Sequence, residues 1–150
     1  MRDKRIIFLI LSVGLFVTYK LVFFERQTYL FKVQGRAEFF AANKKELGSS
    51  NFSAKPIKKS LIIAVNGKVR SLDSNVSIPI NGLSKKKLTT YTNSDGIFKF
   101  HLKPGIYTFF IVKENNAYLN SFDGKGYFKS YKVFSDIEQI LITVTSESYF

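Results

Sequence analysis

The chain contains no cysteine and no tryptophan, one histidine, one methionine and only 3 prolines among 150 residues. Each shortage removes a class of chemistry. Without cysteine there is no disulfide framework, no thiolate nucleophile and no cysteine-ligated metal. The lone histidine, His101, rules out a histidine-pair metal site and most histidine-rich hydrolytic arrangements. Carboxylates are also scarce, 11 Asp and Glu against 23 Lys and Arg, for a formal net charge of +12. Asp73, Asp95, Asp123 and Asp136 fall in stretches that read as turns. Nothing in the sequence pairs two carboxyl groups with separated pKa values, as general acid–base catalysis requires. Asp73-Ser74-Asn75 and Asn93-Ser94-Asp95 carry oxygens that calcium accepts, but a hard cation wants about six, and these are ordinary turn compositions. The expectation is therefore no catalytic residue, no metal, no cofactor and no enzymatic activity; a small hydrolase is the remote alternative.

What is abundant is aromatic: 16 Phe and 8 Tyr. Aromatic and β-branched residues suit strands, so an all-β domain is favoured before any motif is read. The accompanying excess of Lys, Asn and Ile is what an AT-rich genome produces by itself, and lysine count alone argues for no function.

Thr89 to Val112 is the most legible stretch. Asn93-Ser94-Asp95-Gly96 is a turn of residues that tolerate left-handed backbone angles. Phe98, Phe100 and Leu102 then alternate with Lys99 and His101, which puts an apolar row on one face and a polar row on the other. His101 is expected on the outer face beside Lys99 and Lys103, as an ordinary surface histidine. Lys103-Pro104-Gly105 reads as a second turn with positive φ at Gly105. Tyr107, Phe109 and Ile111 repeat the spacing, and the two rows are expected to form one antiparallel hairpin over one core. Further strands are predicted over Ser60–Ser71 (bent at Asn66-Gly67), Val76–Ile80, Leu88–Thr92, Tyr127–Phe134 and Glu138–Thr145. Together with Ile97–Leu102 and Ile106–Lys113 that makes seven strands, enough for a β-sandwich. Pro79 marks the second as an edge strand.

Thr92, Asp95, Gly96 and Phe98, followed by an apolar strand and then Pro104, Gly105 and Tyr107, stand in the residue order of a Thr-Asp-x-x-Gly-x-Phe turn and a Pro-Gly-x-Tyr turn, although Asp95 here adjoins Gly96. In this the chain resembles the carboxypeptidase regulatory-like domains, which are transthyretin-like (prealbumin-like) β-sandwiches. Gly67-Lys68-Val69 and Val76-Ser77-Ile78 look like that family's first two strands, though the small Gly-Ala pair usual before the second is missing. The likeness covers roughly Ile62 to Val144. It implies an antiparallel sandwich serving as an accessory domain beside catalytic or transport domains, and says almost nothing about activity. A purine-pathway hydrolase of this fold uses several histidines and a C-terminal Tyr-Arg-Gly-Ser; the present chain has one histidine and ends Glu-Ser-Tyr-Phe.

The domain organisation has three parts. Residues 1–24 place Arg2, Lys4 and Arg5 before an apolar stretch interrupted by Lys20, whose ammonium is expected to snorkel to the far interface. Ile6 to Phe24 is 19 residues, about 28 Å of helix, close to the hydrocarbon thickness of a bilayer. A cleaved signal needs a small-x-small site, and none follows before Gln34. The favoured reading is a single-pass anchor with its N-terminus in the cytoplasm and the rest of the chain outside. Residues 25–59 form a connector, read as a juxtamembrane helix using Phe39 and Phe40 or as a helix or strand packed on the sandwich. Residues 60–150 are the β-sandwich domain.

Two surfaces are candidate contact sites. Lys85, Lys86 and Lys87 form the densest charge run, in the loop between the second and third predicted strands. Met1–Phe24 carries +3 of the +12 net charge, leaving +9 beyond it. A basic exported surface favours anionic partners: lipid headgroups, an acidic envelope polymer or another envelope protein. Nucleic acid is not expected, since no aromatic–basic platform is legible. Phe110 and Val112 are out of phase with the core row and are candidates for an exposed outer-face contact with protein or carbohydrate, unless Phe39 and Phe40 cover them. The resulting expectation is a membrane-anchored, non-enzymatic binding or structural module of the cell envelope, with a carbohydrate- or anionic-polymer-binding module as the alternative.

Overall fold

Side-chain alternation organises the molecule around two long strands, one at the centre of each of two facing sheets. The structure, a computed structural model, describes residues 29–40, 54–71, 75–83 and 86–145. The anchor expected over Met1–Phe24 lies outside the described residues, among which no helix is long and apolar enough to cross a membrane. Ten strands rather than seven are found there: β1 (Phe31–Phe40), β2 (Ala54–Pro56), β3 (Leu61–Asn66), β4 (Ser77–Pro79), β5 (Lys87–Tyr91), β6 (Ile97–Leu102), β7 (Gly105–Lys113), β8 (Asn116–Tyr118), β9 (Ser130–Val133) and β10 (Ile137–Thr145).

Of the alternatives open for the connector, β1 takes the strand packed on the sandwich. Phe31, Val33, Gly35, Ala37 and Phe39 alternate with Lys32, Gln34, Arg36 and Glu38, and that period of two is the strand pattern. β1 pairs in parallel with β10 along most of its length, with an irregularity between Val33 and Gly35. On its other side it pairs antiparallel with β6 over Phe31–Arg36 and then with β2 over Glu38–Phe40. Gly35 is required here by packing rather than by φ: a Cβ would collide with the Phe98 ring and lie 2.6 Å from the Ile140 carbonyl oxygen.

β7 holds the equivalent place in the second sheet. It pairs antiparallel with β3, which β5 flanks. Its far side is shared by β9 over Gly105–Thr108 and β8 over Ile111–Lys113, with β4 as the edge beyond β8.

The core lies between the sheets. Val33, Phe98, Phe100, Leu102, Ile140, Ile142 and Val144 from the first sheet meet Ile62, Ala64, Tyr107, Phe109 and Ile111 from the second, all buried. Phe109 bridges the layers, its ring 6.3 Å from Phe98 and 5.8 Å from Phe100. Each large apolar side chain removed from water contributes about 1.5–3 kcal/mol, so this aromatic seam is what clamps one sheet to the other.

The hairpin expected between Ile97–Leu102 and Ile106–Lys113 does not form. β6 and β7 belong to different sheets, and Lys103-Pro104 is an arch that crosses the core. A two-residue hairpin needs positive φ at its corner. Neither Lys103 nor Gly105 has it, and the proline ring forbids it at Pro104. The contrast is Glu114-Asn115, where Glu114 takes φ +54 and the chain folds back from β7 into β8 as a true hairpin. The Asn93–Gly96 turn is present as expected. Asn93 Oδ1 accepts from the N–H groups of Asp95 (2.9 Å) and Ile97 (2.8 Å), and Gly96 adopts φ +75.

Candidate functional site

The outer face of the second sheet is covered over β3 and β7 and open at β5, where Thr89 and Tyr91 are exposed. Ile63 and Phe110 are cross-strand partners on it, and both are buried. Residues 67–71 and 119–129 fold across them as a cover. The Phe128 N–H donates to the Val69 carbonyl at 2.9 Å and Lys129 N–H to Ser121 at 2.8 Å. Phe128 then meets Phe110 edge-on at 5.1 Å, and Phe122 stacks on Phe128 at 5.2 Å. Of the two readings of Phe110 and Val112, an exposed contact or a covered face, the structure shows Phe110 covered. Phe110 is wholly buried and Val112 half-buried, because the covering loops and not Phe39 or Phe40 supply a second apolar layer.

Asp123 fastens that cover. Its carboxylate accepts from the N–H groups of Lys125 (2.8 Å) and Tyr127 (3.2 Å) and pairs with Lys68 Nζ at 3.3 Å. The Lys125 N–H above all, then Tyr127 and Lys68, holds its carboxyl below the usual carboxylate range against the opposing effect of burial. Lys68 also lies over the Tyr127 ring, 5.6 Å from its centroid.

Of the lysine run expected as an anionic-surface contact, Lys86 and Lys87 are described. Lys85 lies outside the described residues. Lys86 is exposed and its carbonyl accepts from Asn66 N–H at 3.4 Å. Lys87 opens edge strand β5, is half-buried, and donates from Nζ to the Ile80 carbonyl at 3.3 Å, tying β5 to the short 3-10 turn Ile80–Gly82. Lys87 therefore stands in a strand rather than in the loop expected for it.

The outer face of the first sheet is open. The register sets Lys32 beside His101 and Gln34 beside Lys99, and both His101 and Lys99 are exposed, as their alternation requires. Arg36 pairs with Glu38 at 3.1 Å and also donates to the Asp95 carbonyl at 3.3 Å. Leu141 of β10, opposite Arg36, is the exposed apolar member of this face. Lys32 and Arg36 went unnoticed in the sequence because β1 did; the alternation Lys32-x-Gln34-x-Arg36-x-Glu38 is the signal that finds them.

A third region is the end of the molecule where β1 begins. Tyr29, Leu30 and, from the β9–β10 turn, Phe134 are all exposed there. The Lys32 N–H donates to the Asp136 carboxylate at 2.8 Å, which holds that turn against the start of β1. Among the described residues no three His, Asp or Glu side chains group to hold a metal. The carboxylates of Asp123 and Asp136 accept from backbone N–H groups.

Comparisons with protein-family models, with curated proteins and with solved structures return no match.

Proposed function

We propose that this chain is a membrane-anchored, extracytoplasmic and non-enzymatic module of the cell envelope that presents the outer face of its first sheet to a partner protein. One observation carries the reading: the second sheet is covered on both faces along its central strands β3 and β7, while the first leaves a polar face open along β1, β6 and β10. The apolar run Ile6–Phe24 supports anchorage. Two facing sheets and the Asn93–Gly96 turn support a transthyretin-like domain in an accessory role. Exposed Lys99 and His101, with Lys32 alongside, favour an acidic partner surface. The test is co-purification in mild detergent of the wild type and of Lys99→Glu/His101→Glu. Loss of the bound chains with an unchanged Tm is expected; full retention by the variant refutes this face as the contact.

The same cationic row favours a second reading, an acidic envelope polymer as ligand. Binding to such a polymer would weaken steeply with salt, because exposed charges are screened over about 8 Å at physiological ionic strength. Salt-insensitive association assigns the face to protein instead.

A further inference from the structure

Resting on the anchored reading, we infer that the end of the sandwich where β1 begins is a second membrane contact, seated on the headgroups of anionic lipid. Tyr29 is 74% exposed, Leu30 53% and Phe134 63%. They come from two segments 104 residues apart in sequence that the Lys32–Asp136 hydrogen bond brings to the same end. Lys103, at the β6–β7 arch, and Lys132, at the end of β9, are exposed beside them. Lys32 engages both nearby carboxylates, Asp136 through its N–H and Glu138 through its ammonium at 3.7 Å. Aromatic rings with flanking lysines are the side chains that settle at a membrane–water interface, the rings at headgroup depth and the ammonium groups towards anionic lipid.

Chain length makes the contact hard to avoid. Only four residues separate Phe24, the end of the apolar run, from Tyr29. Five backbone steps reach at most about 18 Å, and the headgroup layer on one side of a bilayer takes up about 5–8 Å of that. A domain tethered so closely by its first strand meets the lipid with the end that holds that strand. The long axis of the sandwich then stands away from the bilayer, and the open face of the first sheet is turned sideways, accessible to a partner in the same membrane.

The chain has no native tryptophan, so a single introduced one reports its own surroundings. The full-length protein is reconstituted in phosphatidylcholine–phosphatidylglycerol vesicles with and without brominated acyl chains. Phe134→Trp is expected to be quenched by the brominated lipid and to emit at shorter wavelength. Tyr91→Trp, at the far end of β5, is expected to emit equally in both. Ser135→Trp repeats the measurement in the same loop should Phe134→Trp disturb the fold. If the protein floats with the vesicles but neither loop tryptophan is quenched, the lipid contact is overturned and the anchor survives. Equal quenching in phosphatidylcholine alone overturns the requirement for anionic lipid. A wild-type chain that does not float with vesicles overturns the anchor and this inference together.

Discussion

β1 and β7 occupy the same place in their sheets, yet they are built for different surroundings. Each has a single partner strand on one side and two strands set end to end on the other. β1 alternates, with an apolar row inward and Lys32, Gln34, Arg36 and Glu38 outward. β7 does not: from Tyr107 to Ile111 every residue is buried, whichever way it points. A single covered face reads as strict alternation, and two covered faces read as a continuous apolar run. The difference teaches that a strand's outward residues can be assigned to solvent only after its neighbours in the next layer are known.

The sharpest way to break this comparison is to truncate outward residues in both strands. Phe110→Ala should cost about 3–5 kcal/mol, as for any large side chain removed from a core. Arg36→Ala should stay within about 0.5 kcal/mol, as an exposed position does. Denaturant melts of the two variants measure this directly, and equal losses would mean that the cover over Phe110 is not formed in solution.

A smaller effect separates the two glycines that the sequence made equivalent. Gly96 adopts φ +75, and an added Cβ would come within 2.6 Å of the Ala37 carbonyl oxygen. Gly96→Ala should lose about 1–3 kcal/mol through strained backbone. Gly105 lies outside the left-handed region, and its Cβ would meet only the edge of the Tyr107 ring at 3.2 Å. Gly105→Ala should cost clearly less, and the reverse order of Tm values would restore a tight turn at Pro104-Gly105.

Next comes Thr108, the polar member of the buried β7 run. Its hydroxyl donates to the Gly67 carbonyl at 2.9 Å, so Thr108→Val should lose about 1 kcal/mol. No loss in a urea melt would show that residues 67–71 are held by their backbone hydrogen bonds and by Phe128 without the Thr108 hydroxyl.

The smallest effect is confined to acid. The Asp123 carboxyl is depressed in the folded protein, so it is stabilising at pH values above its unfolded value of about 3.9. That stabilisation is lost as pH falls through the lower folded value. Asp123→Asn should therefore have the lower Tm at neutral pH, with the gap to wild type closing below about pH 4. Parallel Tm curves down to the acid limit would rule out the carboxylate as the clasp of the covering loop.

β3, β5, β6, β7 and β10 were legible because each carries its own pattern of β-branched and aromatic residues between turn residues. β6 was found to the residue, and β7 and β10 differ by one at their starts. β1 was hidden by its ends. Leu30-Phe31 and Phe39-Phe40 double the apolar residues there, and a glycine sits at the centre of the inward row. The arch at Lys103-Pro104 was hidden for a different reason. A hairpin and an arch place the same two apolar rows on the same core, so periodicity does not distinguish them; only the missing positive φ does. Of the surface residues, His101 was placed correctly by alternation alone. For Phe110 and Val112 the covering segment was not legible, because the layer above them comes from loops that carry no period. The Ile106–Val112 run was the available signal.

The parallel pairing of β1 with β10 also sets a timetable. These strands are the first and last of the described fold, and the Lys32–Asp136 bond that accompanies them spans 104 residues. At roughly 5–20 residues per second of synthesis, β1 waits roughly 5–20 s for the neighbour that closes its side. During that interval an alternating strand with an apolar row and an open edge is a template for pairing with other chains. Slow translation lengthens the wait, so the yield of this protein should respond to elongation rate and to whatever shelters its first strand.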